Sequence, residues 1–358
     1  MGWNPDPHRV ELFARILIGY LAEIPSVPPA GGRSHPLSEY AVEIRGITKR
    51  FRDKVAVNNV DLNIRAGSLC GFLGPNGAGK TTTIRMIMSI FYPDSGTLRV
   101  LGKGSAIESK DRIGYLPEER GVYKKMKVGQ FLNYMGKLKG LPASGVDKRV
   151  RDWLDRMALG DTYKKKCEEL SKGMQQKVQL IAALIHEPDL LILDEPFSGL
   201  DPVNRRLLRT IIEEQNDAGR TVIFSTHAMF EAEQLCDHLF MINKGEKVLD
   251  MRTAEVWKTH DPRSLVVQPL SDSPLDEASL AQVPGVEHVR RNSRGFEIQL
   301  HDGTAPGSVM RDIAGRFPVR SIEIKRPSLD DIFIGLVGGD AAALAGLASA
   351  EEQQLVET

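Results

Sequence analysis

Three short apolar runs organise the hydrophobic pattern of this chain: Leu69-Cys70-Gly71-Phe72-Leu73, Leu190-Leu191-Ile192-Leu193 and Thr221-Val222-Ile223-Phe224. None alternates, as expected of parallel strands covered on both faces. By contrast, Ala41–Ile47 and Asp61–Ile64 do alternate, which predicts a half-exposed antiparallel sheet. Thr97–Leu101, after the turn Pro93-Asp94-Ser95-Gly96, and Ile113–Pro117, ending at Glu118 and Glu119, add two further strands. Helices are expected over Thr82–Ile90, over Val128–Met157 with a break at Gly140-Leu141-Pro142, and up to about His186. A helix from Met229 and a hairpin Phe240–Val248, turning at Lys244-Gly245, close this part of the chain.

After Pro262 the pattern changes. Leu265–Val267 reads as a strand, Leu275–Gln282 as a helix, and Val286–Arg291 with Gly295–Leu300 as a hairpin. Ser308–Phe317 reads as a helix, Val319–Lys325 as a strand and Ser328–Leu336 as a helix. The order β-α-β-β-α-β-α predicts a ferredoxin-like α+β domain with an added helix. At the other end, Val10, Phe13, Leu17, Tyr20 and Ile24 recur at helical spacing. This amphipathic stretch reads as a packing helix or an upstream extension, or alternatively as an interfacial or partner-docking helix. Pro25–Pro36 holds four prolines, two glycines and two serines, a linker composition. The expected organisation is therefore 1–39 helix and linker, 40–262 first domain, 263–339 second domain and 340–358 an Ala-rich tail.

Composition narrows the function classes. Across 358 residues Lys+Arg and Asp+Glu both number 47, so no global basic field draws nucleic acid or an anionic membrane. No apolar run reaches 18 residues, so no membrane span is expected. Cys70, Cys167 and Cys236 lack disulfide or metal spacing, which fits a reducing, cytoplasmic compartment.

The chemistry follows the first apolar run. Gly74-Pro75-Asn76-Gly77-Ala78-Gly79-Lys80-Thr81, continuing into Thr82, matches the P-loop pattern between a strand and a helix. Such a loop turns backbone N–H groups, here including those of Asn76, Gly77, Ala78 and Gly79, onto phosphate oxygens at a helix N-terminus. Lys80 can reach the outer phosphates, and the Thr81 hydroxyl can ligate Mg²⁺. The second run ends in Asp194-Glu195-Pro196, where α/β folds place their ligands. There Asp194 can hold Mg²⁺ and Glu195 can act as general base on water. Phe51 is either strand packing or an aromatic stacked on a purine.

Between these motifs lies Leu170-Ser171-Lys172-Gly173-Met174-Gln175-Gln176-Lys177, followed later by Ser198-Gly199-Leu200-Asp201 and by His227 after the third run. P-loop, signature, acidic strand, Ser-Gly-Leu-Asp loop and terminal His in this order resemble the ABC ATPases. The resemblance implies an α/β P-loop NTPase fold of the ABC type: a mixed-sheet core, an antiparallel β subdomain and a helical subdomain. It implies ATP and Mg²⁺ as ligands. It further implies that Phe51 stacks on adenine, and that Ser171 and the Gly173 N–H contact a γ-phosphate held by a partner subunit. Asp201 would lie across the dimer interface, and His227 would contact the γ-phosphate and orient water. Lys172 and Met174 depart from the usual Leu-Ser-Gly-Gly-Gln, although the hydroxyl and the second glycine remain. Glu118 stands where a Gln usually meets the metal, and its carboxylate can still ligate Mg²⁺.

Ile113–Met126, the signature segment and Pro327-Ser328-Leu329-Asp330-Asp331-Ile332-Phe333 are similar to the ATP-binding subunits of bacterial sodium-extrusion (Nat-type) and related export systems. That similarity covers roughly 40–338. It implies a head-to-tail dimer, of identical or similar chains, peripheral at the cytoplasmic face of the membrane. It also implies a separate membrane subunit docking near Tyr123, Lys124, Lys125 and Met126, which otherwise read as a solvated basic loop. The competing class is a non-transport ABC ATPase on a ribosomal or nucleic-acid machine. One cassette rather than two, no coiled-coil insertion and neutral charge argue against it.

Overall fold

The computed structural model describes residues 38–119, 121–259, 263–270, 275–292, 295–325 and 327–337. The helix expected over Val10–Ile24, the linker Pro25–Pro36 and the tail from Asp340 lie outside these residues. The chain divides into two compact units between Met251 and Arg252.

The first unit opens on β1 (Tyr40–Phe51) and β2 (Lys54–Arg65), paired antiparallel across Arg52-Asp53. Both run further than their alternation predicts. The register shifts between Ile44 and Ile47, where Gly46 takes φ 57°, and Asn59 on β2 takes φ 48°. Such bulges move the apolar face by one residue and hide the period of two. Then come β3 (Leu69–Leu73), α1 (Lys80–Ile87), β4 (Ser95–Val100), β5 (Ile113–Leu116), α2 (Val128–Leu138), α3 (Ala143–Arg156), α4 (Lys172–Leu184) and β6 (Leu190–Asp194). The unit finishes with α5 (Pro202–Asp217), β7 (Thr221–Thr226), α6 (Met229–Leu235), β8 (His238–Asn243) and β9 (Glu246–Arg252). Helix α1 starts two residues earlier than expected because Gly79 ends the loop at φ 114°. It stops at Ile87, ahead of Ser89 at φ 54°. Helix α5 was not singled out by the pattern at all, although Asp201-Pro202 gives it a cap and a favoured first residue.

Two sheets result. One has the order β2-β1-β4, and the other the order β5-β6-β7-β3-β8-β9. In the second, β5, β6, β7, β3 and β8 pair in parallel, with Leu73 beside Thr226 and Asp194 beside Ser225. Every residue of β3, β6 and β7 is buried, which accounts for their unbroken apolar runs. Each large aliphatic side chain so buried contributes about 1.5–3 kcal/mol. The parallel register brings the ends of β3, β6 and β7 to one edge, and with them the P-loop, Asp194-Glu195 and His227.

In the second unit α7 (Thr253–Thr259), which the pattern also passed over, leads to β10 (Ser264–Pro269), α8 (Glu277–Ala281), β11 (Val286–Asn292) and β12 (Gly295–Leu300). The helix α9 (Pro306–Arg316), the strand β13 (Val319–Lys325) and the helix α10 (Leu329–Val337) complete it. The sheet order is β11-β12-β10-β13 with antiparallel neighbours, so β12 lies between the parallel pair β10 and β11. This is the split βαβ arrangement that the element order predicts. Leu265, Val267, Phe296, Ile298, Val309 and Ile313 form its core.

Within the first unit one buried charge ties two functional segments. Glu231 on α6 is 3% exposed and accepts from Arg209 at 2.6 Å, with Arg205 at 3.6 Å. Both arginines lie on α5. Replacing Arg209 by Ala strips the main partner from a buried carboxylate, a change that costs about 3–5 kcal/mol. Urea unfolding of the full chain is expected to show a loss of that size for Arg209→Ala, and a smaller one for the more exposed Arg205→Ala.

Candidate active site

The P-loop backbone can take its path only with glycine at two points. Gly74 has φ 147°, and a Cβ there would lie 2.1 Å from the Ile242 carbonyl oxygen on β8. Gly79 has φ 114°, and its Cβ would lie 2.7 Å from the Ala56 oxygen on β2. The loop is thus clamped between the two sheets, and it delivers Lys80 as the first residue of α1. No acidic residue occupies the first turn of that helix, so its positive end stays open to an anion. Lys80 is 5% exposed. Its ammonium donates to the Gly74 carbonyl at 2.7 Å and the Pro75 carbonyl at 3.3 Å, and lies 3.4 Å from Glu195 Oε1.

Facing it is the end of β6. Thr81 donates to Asp194 Oδ1 at 3.2 Å, and Ser225 on β7 donates to the same oxygen at 2.5 Å. The Ser225 hydroxyl also accepts from the Glu195 N–H at 3.0 Å. One side chain from the neighbouring strand therefore fixes both acids. Asp194 is 1% exposed and Glu195 8%. Burial, with like charge from Glu118 and Glu195, pushes the Asp194 carboxyl up to about 6 against the Ser225 and Thr81 hydrogen bonds. His227 Nδ1 lies 3.0 Å from Glu195 Oε2, and that hydrogen bond raises the His227 pKa against the effect of partial burial.

Glu195 also carries backbone strain. Its φ of 50° is left-handed although it is not glycine and precedes a proline, a conformation costing about 1–3 kcal/mol. The strain is held by the Ser225 contact, by Ser198 N–H on the Glu195 carbonyl at 3.2 Å, and by Gln176 donating to the Pro196 carbonyl at 2.7 Å.

Does this site suit a divalent cation? Asp194 Oδ2 and Glu195 Oε1 are buried and accept no hydrogen bond. Glu195 Oε1 is ion-paired with Lys80, whereas Asp194 Oδ2 beside the Thr81 hydroxyl offers hard-oxygen donors of the kind a divalent cation takes. Among the described residues no three His, Cys, Asp or Glu form a closed metal cage. Mg²⁺ is ordinarily held by one or two carboxylates together with substrate phosphates, a demand that Asp194 with Thr81 would fit. Glu118, exposed after β5, contributes its charge to Asp194 from the side.

The remaining residues do not join this cluster. Phe51 ends β1, is 41% exposed, and meets Phe91 edge to face at 5.4 Å. Ser171 caps α4, accepting from the Met174 N–H at 3.3 Å, which leaves its hydroxyl proton to donate outward. A Cβ on Gly173 would meet nothing within 4 Å, so its backbone is open to close approach. Asp201 caps α5 through the Val203 and Asn204 N–H groups, and those bonds, led by Asn204, hold its carboxyl below the ordinary range. Among the described residues, neither Ser171 nor Gly173 hydrogen-bonds a P-loop group.

Comparison with known proteins places this geometry. A family model described as ABC transporter matches residues 57–198. A second, described as ATP-binding protein DrrA1-3-like, C-terminal domain, matches 254–337. The chain is 39% identical over 292 residues to the uncharacterized ABC transporter ATP-binding protein YhaQ of Bacillus subtilis (strain 168), covering 82% of this chain and 97% of that one. The chain belongs to the ABC transporter ATP-binding protein family. As an ABC ATP-binding subunit it is an ATPase of a transporter system. It is also 32% identical to the Nod factor export ATP-binding protein I of Cupriavidus metallidurans, over 83% of this chain and 97% of that one. A solved structure titled as the ATP binding subunit of an ABC transporter aligns with TM-score 0.57 at 26% identity, covering 61% of this chain and 92% of that one. These relatives do not favour the ribosomal or nucleic-acid alternative.

Two of the site's residues were not assigned a role from the sequence. Ser225 directly precedes Thr226-His227, and the parallel register sets it opposite Asp194. Gln176 lay in plain view within the signature. Ser225→Ala is expected to leave the Glu195 N–H unsatisfied and Asp194 Oδ1 with only the longer Thr81 hydrogen bond, at a cost of about 1–3 kcal/mol. Thermal unfolding should show that loss, and ATP turnover should fall by at least about tenfold, the worth of roughly 1.4 kcal/mol of lost positioning.

Proposed function

We propose that this chain hydrolyses Mg-ATP for an export system and pairs with a second ABC chain around two nucleotides to drive a separate membrane subunit. The observation that carries the reading is the separation of phosphate-facing groups into two sets. Lys80, Thr81, Asp194, Glu195 and His227 converge at one sheet edge, while Ser171 and Gly173 open the α4 N-terminus apart from them. A second copy presenting that N-terminus, with its positive dipole end, would complete the shell around the γ-phosphate. In this reading Glu195 takes the proton from the attacking water, and His227, hydrogen-bonded to it, fixes its orientation. Asp194, Thr81 and Glu118 hold Mg²⁺, which neutralises phosphate charge when bound. Asp201, already ordered as a helix cap, stands ready at the interface, and Phe51 offers an exposed ring to adenine.

Export is supported by the relative named for Nod factor export, of which this chain matches nearly the whole length. The narrower sodium-extrusion assignment rests on Ile113–Met126, the signature and Pro327–Phe333. Docking of the membrane subunit near Tyr123–Met126 is supported by what surrounds that loop. Tyr123 stacks edge to face with Phe131 and with the 39% exposed Tyr134. Lys127 bridges Lys166, so the exposed Lys124 and Lys125 share one ribbon with Lys164–Lys166. Among the described residues no helix is long and apolar enough to cross a membrane, which is consistent with peripheral attachment through that partner.

Glu195→Gln tests the reading. The variant is expected to bind ATP, to accumulate as an ATP-dependent dimer in size-exclusion chromatography, and to turn over at least about 10²-fold more slowly, within the range that one general base supplies. Hydrolysis at the unmutated rate would remove Glu195 from that role.

A further inference from the structure

Resting on the reading of Glu195 as general base, we propose that Gln176 is a positioning residue, which couples the place of the signature helix to the aim of that base. Three observations meet at this side chain. Gln176 lies one turn into α4, the helix whose N-terminus carries Ser171 and Gly173. Its Nε2 donates at 2.7 Å to the carbonyl of Pro196, the residue directly after Glu195. Its Oε1 is buried without a hydrogen bond, so the amide is held at this point by its donor side.

The contact is placed to matter. Glu195 sits in a left-handed conformation before a proline, so its carboxylate direction depends on how the peptide planes on either side are held. Ser225 holds the N–H side, the Ser198 N–H bonds the Glu195 carbonyl on the other, and Gln176 fixes the Pro196 carbonyl one peptide further on. Leu180, Leu200, Leu208 and Ile211 line the cavity beside Gln176 and Pro196, and in apolar surroundings a hydrogen bond meets less competition from water. The neighbouring Gln175 donates to the carbonyls of Cys167 at 3.0 Å and Leu170 at 3.2 Å. The loop before Ser171 is thereby fastened to the same helix turn. When a partner's nucleotide draws Ser171 and Gly173, the helix carries Gln176 with it, and the Pro196 carbonyl follows. The base is set by the arrival of the second chain's substrate.

The test uses ATPase kinetics of the full chain with Gln176→Met, which keeps the volume and removes the donor. A base displaced by about 1 Å loses on the order of 10²-fold in rate. The expected result is a fall in kcat of that order with KM for ATP unchanged and the melting temperature within a few degrees of the parent. In single-turnover assays Glu195→Gln/Gln176→Met should be no slower than Glu195→Gln alone, because Gln176 acts through the group already removed. If Gln176→Met does not fold, Gln176→Leu, which likewise has no donor, must show the same split. Equal fractional losses in both backgrounds, or a kcat for Gln176→Met equal to the parent's, overturn the inference. A Glu195→Gln variant at full rate overturns the base assignment and this coupling together; a slow Glu195→Gln beside a normal Gln176→Met overturns the coupling alone.

Discussion

Two adjacent carboxylates are buried at the end of a parallel strand, and most of the first unit's design answers to that constraint. Removing an ionised carboxyl from water is costly unless charge or hydrogen bonds replace the lost hydration. Here the replacement is partial. Lys80 approaches Glu195, Ser225 and Thr81 bond Asp194, and one oxygen of each acid is left without a hydrogen bond. The shortfall shows in Asp194, whose carboxyl burial lifts to about 6. A site in this state suits a cation accompanied by an anion that Lys80 and the α1 N-terminus can take, and Mg²⁺ with a nucleotide phosphate would have that chemistry.

The fold supplies the constraint through register. Parallel pairing with Asp194 opposite Ser225 and Leu73 opposite Thr226 lets three strands end together, so a hydroxyl on one strand serves acids on the next. The P-loop is wedged against the Ile242 and Ala56 carbonyls, and that is why Gly74 and Gly79 admit no side chain. Rigid walls of this kind hold the groups in advance, so the reaction need not reorganise them. Helices tie into this frame: α4 reaches the Glu195-Pro196 segment through Gln176, and α5 reaches α6 through Glu231.

Much of this was legible in the residues. The unbroken runs at Leu69–Leu73, Leu190–Leu193 and Thr221–Phe224 became the central strands because burial on both faces leaves no polar position to interrupt them. The P-loop and Asp194-Glu195 were readable because phosphate chemistry demands those residue types in sequence. Helix α5 was harder to see, since its buried stripe is only Leu208, Ile211 and Ile212 with Gln215, set among charged residues. The length of β1 and β2 was hidden by bulges near Gly46 and Asn59 that break alternation. Ser225 and Gln176 escaped for another reason. Their partners lie 31 and 20 residues away in the chain, and only the parallel register and the packing of α4 bring them together.

The central claim is that the buried acids need a cation and a phosphate at once, and nucleotide-dependent stabilisation measures it most directly. Melting curves of the full chain should be recorded with ATP alone, with Mg²⁺ alone and with both, for the parent and for Asp194→Asn. Ligand that binds only the folded state stabilises by about 2.7 kcal/mol at a hundredfold excess over Kd. The account predicts that Mg-ATP raises the melting temperature of the parent well beyond the sum of the separate shifts, and that Asp194→Asn loses this surplus while keeping the shift from ATP alone. Additive shifts in the parent, or a surplus that survives in Asp194→Asn, would contradict it.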